Sequence, residues 1–99
     1  MGRARDAARV ARYIVEAYLA ADPAALEHAR AAARHVSAIA PAVRYVRTIF
    51  LPDDETVFHM FDAPSASAVR EPASAVSMHV DRLAEAVEGD WYTDVVHHQ

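Results

Sequence analysis

The chain has 99 residues, 54% of them hydrophobic and 24% charged, with a formal net charge of -4 when His is neutral; this is ordinary globular material for one domain, able to bury roughly two thirds of the surface its unfolded form exposes. The negative balance argues against a nucleic-acid partner, because phosphate binding relies on a concentrated basic surface, and no apolar run approaches the length that spans a bilayer. Cysteine is absent, which excludes disulfides, zinc ribbons and thiol catalysis, fits a reducing compartment such as the cytoplasm, and leaves His, carboxylate or Met as the available metal ligands.

Residues 1–11 are Arg-rich but lack the apolar core of a secretory signal, so they read as an N-terminal extension to a domain of residues 12–88. Arg12 to Leu19 (RYIVEAYL) is rich in β-branched and aromatic residues that alternate, which predicts a first strand. Asp22-Pro23 then supplies a helix start: the carboxylate accepts from free first-turn N–H groups, and Pro23 sits where its missing N–H costs nothing. Apolar residues recur at helical spacing from Leu26 to Ala40, and Pro41 disfavours the helical conformation at Ala40, so the first helix spans Pro23 to Ile39.

Val43 to Leu51 (VRYVRTIFL) and Thr56 to Asp62 (TVFHMFD) are strand-like runs joined by Pro52-Asp53-Asp54-Glu55, a loop with hairpin chemistry. With Asp53-Asp54 at the tip, Phe50 pairs with Val57, Thr48 with His59 and Val46 with Phe61. Tyr45, Arg47, Ile49, Phe58, Met60 and Asp62 then share the opposite face, and a one-residue slip would exchange the two faces. Ser65 caps a second helix through Arg70, which Pro72 should stop or kink. Val80 to Glu88 (VDRLAEAVE) has helical spacing, so local pattern favours a helix there; residues 89–99, including WYTDVV, form a tail or an added strand.

RYIVEAYL, YVRTIF, FHMFDAP, SAVRE and HVDRLAEAV together resemble a family of small bacterial proteins of ferredoxin-like fold that includes a nickel-binding protein, and that is similar in architecture to the dimeric α+β barrel proteins. The resemblance implies an α+β fold of βαββαβ order with a four-stranded antiparallel sheet, a homodimer, and a fourth strand over Arg82 to Val87 in place of the locally favoured helix. It also implies nickel or another divalent transition metal as ligand. One departure stands out: relatives commonly carry His after the Arg-Glu of helix two, whereas Arg70-Glu71 is followed here by Pro72.

The chain holds six histidines. His28 and His35 lie about 10 Å apart along their helix, too far to share one ion, and read as solvated side chains. His97 and His98 fall in the tail. His59 lies within a strand; the register given above buries it against Thr48, and the slipped register would make it an acid/base or ligand candidate. His79 and Asp81, before the last strand, offer a carboxylate–imidazole pair, so His59, His79 and Asp81 are the candidate metal ligands. Glu16, Arg47 and Asp62, with Tyr18, Tyr45 and Met60, form a second constellation on the sheet face left uncovered by helices. There they serve either as structural ion pairs, since strand charges amid apolar neighbours need partners, or as the lining of a small-molecule pocket at a dimer interface.

Three functions are compatible with these features: a small metal-binding protein, a cofactor-free enzyme or small-molecule carrier of the α+β barrel type, and a structural or regulatory dimer module. With two glycines in the chain, and no nucleophile elbow, phosphate loop or HExxH motif, nucleotide cradles and the common hydrolase designs are disfavoured.

Overall fold

The computed structural model describes residues 10–87. The Arg-rich segment before them and the tail after Val87, with its WYTDVV run and terminal histidines, lie outside the described residues. The elements follow the order β1 (Ala11–Tyr18), α1 (Pro23–Ile39), β2 (Arg44–Leu51), β3 (Thr56–Ala63), α2 (Ala66–Ala75) and β4 (Arg82–Ala86). All pairings are antiparallel, in the sheet order β2-β3-β1-β4. This is the ferredoxin-like α+β fold, with both helices on one face of the sheet. Among the described residues, no helix is long and apolar enough to cross a membrane.

Local chemistry accounts for the ends of α1. Asp22 Oδ2 accepts from the Ala25 N–H at 3.1 Å and Pro23 opens the first turn. At the far end Ala40, held extended ahead of Pro41, still donates its N–H to the Val36 carbonyl at 3.0 Å. Alternation places Tyr13, Val15 and Ala17 of β1 and Val57, His59, Phe61 and Ala63 of β3 on the helix-covered face. Val15, Phe61, Val36 and Val69 are fully sealed in the core, and burial of each such side chain contributes about 1.5–3 kcal/mol.

The hairpin closes as the loop chemistry requires, with Phe50 opposite Val57 and Thr48 opposite His59. Farther from the loop the register differs from the expected one. Tyr45, not Val46, lies opposite Phe61, because one extra residue interrupts the ladder between Tyr45 and Arg47. Tyr45 is therefore on the helix-covered face, edge-on to Phe61 with ring centroids 5.9 Å apart. Ser37 of α1 anchors the irregularity, its Oγ accepting the Tyr45 N–H at 2.6 Å.

Pro72 does not stop α2, which runs on to Ala75. The cost is local: the Ala68 carbonyl loses the bond that residue 72 would otherwise donate. The helix ends in a Schellman turn, in which Met78 N–H bonds the Ala73 carbonyl at 2.8 Å and Ser77 N–H bonds the Ser74 carbonyl at 3.0 Å. Met78 and Ala73 are both buried, which fixes the chain direction into β4.

The fourth strand that the resemblance implies is present, and it overrules the helical spacing of Val80 to Glu88. Arg82–Ala86 pairs with β1 from Glu16 to Arg12, and the ladder is started by the Asp81 N–H donating to the Glu16 carbonyl at 2.9 Å. Pairing satisfies the free edge of β1, and that outweighs a weak local preference.

The Schellman turn places Ser77 at φ 59°, a left-handed conformation that costs an L-residue about 1–2 kcal/mol and that glycine adopts freely. Ser77→Gly is expected to stabilise the domain by about 1 kcal/mol, read as a higher urea midpoint with an unchanged m-value.

Candidate functional site

His59 is the one buried polar side chain of the described core, 1% exposed between Val15 of β1 and Thr48 of β2. Its Nδ1 lies 2.8 Å from Thr48 Oγ1, and Thr48 Oγ1 lies 2.6 Å from the Tyr45 hydroxyl. The three groups form a continuous hydrogen-bonded chain under α1. Burial pushes the His59 pKa down from 6.5 to about 4, so its ring is neutral at physiological pH.

Beside His59 a cavity of about 320 Å³ opens between the first half of α1, the loop end of β1 and the turn after α2. Ala25, Ala29 and Ala32 recur at i, i+4 and i+7 along one face of α1 and line it, opposite Ala17 and Val57. Methyl groups alone do not fill the gap between helix and sheet. His28, on the exposed surface of α1 as the sequence implies, also borders this space, as does His79. Sequence reasoning missed the cavity. Its signal was the absence of bulk: three alanines on the helix face that meets a small-residue strip of the sheet.

His79 and Asp81 do pair, Nε2 to Oδ1 at 2.9 Å. The same carboxylate accepts the Tyr18 N–H through Oδ2 at 2.7 Å, which pins the loop to the end of β1. His59 and His79 border the same cavity, yet no group of three or more His, Asp or Glu among the described residues is arranged to hold a metal ion. The trio His59, His79 and Asp81 thus does not converge on one point: His59 lies under the helices with Nδ1 committed to Thr48, while the other two are exposed.

The open face of the sheet carries Glu16, Tyr18, Arg47, Met60 and Asp62, whereas Tyr45 has moved to the other side. The charges are paired differently from the sequence expectation. Asp62 is clamped by Arg12, at 2.9 and 3.2 Å, and by Arg44 at 2.6 Å. The hydrogen bonds from Arg12 hold its carboxyl below the usual range; burial opposes this, and Arg44 adds to the lowering. Glu16 faces Arg82 at 3.9 Å, and Arg47 has no ion-pair partner among the described residues. Arg12 as a partner was legible, because it lies in phase with Glu16 and Tyr18 along β1. Arg44 was not, because only the extra residue in β2 brings it opposite Asp62.

The two shifted groups act on stability in successive acid windows. His59 has a folded pKa below its unfolded value, so its full contribution is present above pH 6.5 and is lost as pH falls towards 4, about 3 kcal/mol in all. Asp62, also depressed, keeps its contribution above the ordinary carboxylate range and loses it below. Chemical denaturation between pH 7 and 4 is expected to show this loss, and His59→Phe is expected to flatten it.

The geometry sits within a recognisable lineage. No curated protein matches the chain. A crystal structure of SCO4226 from Streptomyces coelicolor A3(2) superposes with a TM-score of 0.69 at 18% sequence identity, covering 81% of this chain and all of that one; at that identity the likeness concerns the fold. The family model described as nickel responsive protein SCO4226-like matches residues 10–86, which takes in every element from β1 to β4. The chain belongs to the nickel responsive protein SCO4226-like family.

Proposed function

We propose that this chain is a small cytoplasmic, dimeric binding protein that takes nickel or a similar divalent transition metal at the His79–Asp81 end of the sheet. The observation that carries this reading is the exposed imidazole–carboxylate pair at 2.9 Å, on a loop fixed by two hydrogen bonds to β1. Imidazole and carboxylate suit divalent transition metals, and the family name links the fold to nickel.

One chain supplies these two donors and, among the described residues, no third grouped with them. A second copy would complete the set. The open face supports such pairing: Ile14, Ile49, Leu51, Phe58 and Met60 lie on it with no helix over them, and Ile49 and Leu51 are about 40% exposed. Tyr18, 59% exposed, emerges at the same end of β1 as the His79–Asp81 loop. Uncovered apolar surface of this kind meets a partner.

Calorimetry of the tag-free protein with Ni²⁺ is expected to give a Kd tighter than about 10 µM, weakened at least tenfold in His79→Ala with the circular dichroism spectrum unchanged. Asp81 is left intact in this test because it also holds the Tyr18 backbone. Equal affinity in His79→Ala, or no binding at that level, would overturn the assignment, and Ile49→Asp is expected to yield a monomer by sedimentation.

A further inference from the structure

The cavity beneath α1 offers a second site, centred on His59 and distinct from the proposed ion site, although His79 borders both. Two observations define it. The first is shape: about 320 Å³ of space, with Ala29, Ala32, Val57, Val76 and Met78 among its walls and His28 and His79 also bordering it, falls at the small end of the volume range of ligand pockets. The second is one polar atom. His59 Nδ1 is engaged by Thr48, and Nε2 has no hydrogen-bond partner among the described residues. Since no fully buried side-chain nitrogen or oxygen there lacks a partner, Nε2 opens into the cavity that His59 lines.

A buried, neutral imidazole with one nitrogen tied back and the other presented to an apolar space is a specific recognition element. It favours an uncharged head group, because the ring has no charge to offset that of a carboxylate or phosphate brought out of water. It favours an organic molecule over an ion, because the imidazoles of His28, His59 and His79 border the space without forming a metal-holding group. The alanine strip of α1 leaves room for a flat apolar body between helix and sheet. We propose that this cavity binds a small, ring-sized apolar molecule bearing one hydroxyl, whose oxygen hydrogen-bonds His59 Nε2.

The test uses the full chain in the presence of a metal chelator, so that failure of the ion site leaves it unaffected. 4-Ethylphenol and ethylbenzene are titrated separately and followed by amide chemical shifts. The expected result is saturable binding of 4-ethylphenol with shifts centred on Ala17, Val57 and Met78, and about tenfold weaker binding of ethylbenzene, which leaves Nε2 unpaired. Ala29→Leu, which fills the space, is expected to abolish binding of both probes. His59→Phe, which keeps a ring but removes the polar atom, is expected to bring 4-ethylphenol down to the affinity of ethylbenzene. Absence of saturable binding up to about 10 mM, equal affinity for the two probes, or unchanged discrimination in a folded His59→Phe would each overturn the assignment.

Discussion

One extra residue in β2 determines which side of the sheet its neighbours serve. In a regular strand Tyr45 and Thr48, three apart, would point to opposite faces. The interruption between Tyr45 and Arg47 brings both hydroxyls under α1, 2.6 Å apart, and turns Arg44 outward to Asp62. The polar chain ending at His59 and the arginine clamp on Asp62 therefore share one cause. Ser37, by accepting the Tyr45 N–H, ties that cause to the first helix. Bulges of this kind re-aim side chains locally and are retained for what they position.

The fold around it rests on ordinary terms. Apolar residues of β1 and β3 alternate into the helix layer, and α1 and α2 bring small and β-branched residues to meet them. Glu55 joins the two loops at one end of the sheet: its carbonyl accepts the Leu19 N–H at 2.8 Å, and its carboxylate receives the Tyr18 hydroxyl and the Ala21 N–H, each at 3.3 Å. Asp81 performs the corresponding task at the start of β4. Short carboxylate ties of this sort hold the loop ends in a domain that has no disulfide to do it.

Much of this was legible from residues alone. The Asp22-Pro23 cap, the stop at Pro41, the hairpin register next to its loop and the burial of His59 against Thr48 all follow from local chemistry and alternation. Three features were not. Nothing in VRYVRTIFL marks Val46 as the extra residue, since bulges arise from cross-strand geometry. The helical spacing of Val80 to Glu88 is genuine but weak, and the unpaired edge of β1 outweighs it. Pro72 looks like a stop, yet packing of Val69 and Ala73 on either side of it holds the helix through the lost bond. The cavity left only a faint trace, the alanines along one face of α1, because a sequence shows which side chains are present and not the volume that small ones leave between elements.

Tyr45, Thr48 and His59 also share a chemical property. Each group in the chain can either give or take a hydrogen bond. If the tyrosine hydroxyl donates to the threonine and the threonine donates to Nδ1, the ring turns an N–H towards the cavity. If every proton shifts the other way, the ring turns a lone pair there instead. Reversal of the whole line moves no heavy atom and leaves the net charge unchanged. The buried end of this small domain therefore has no fixed polarity of its own, and whatever occupies the space beside it sets the sense of the line.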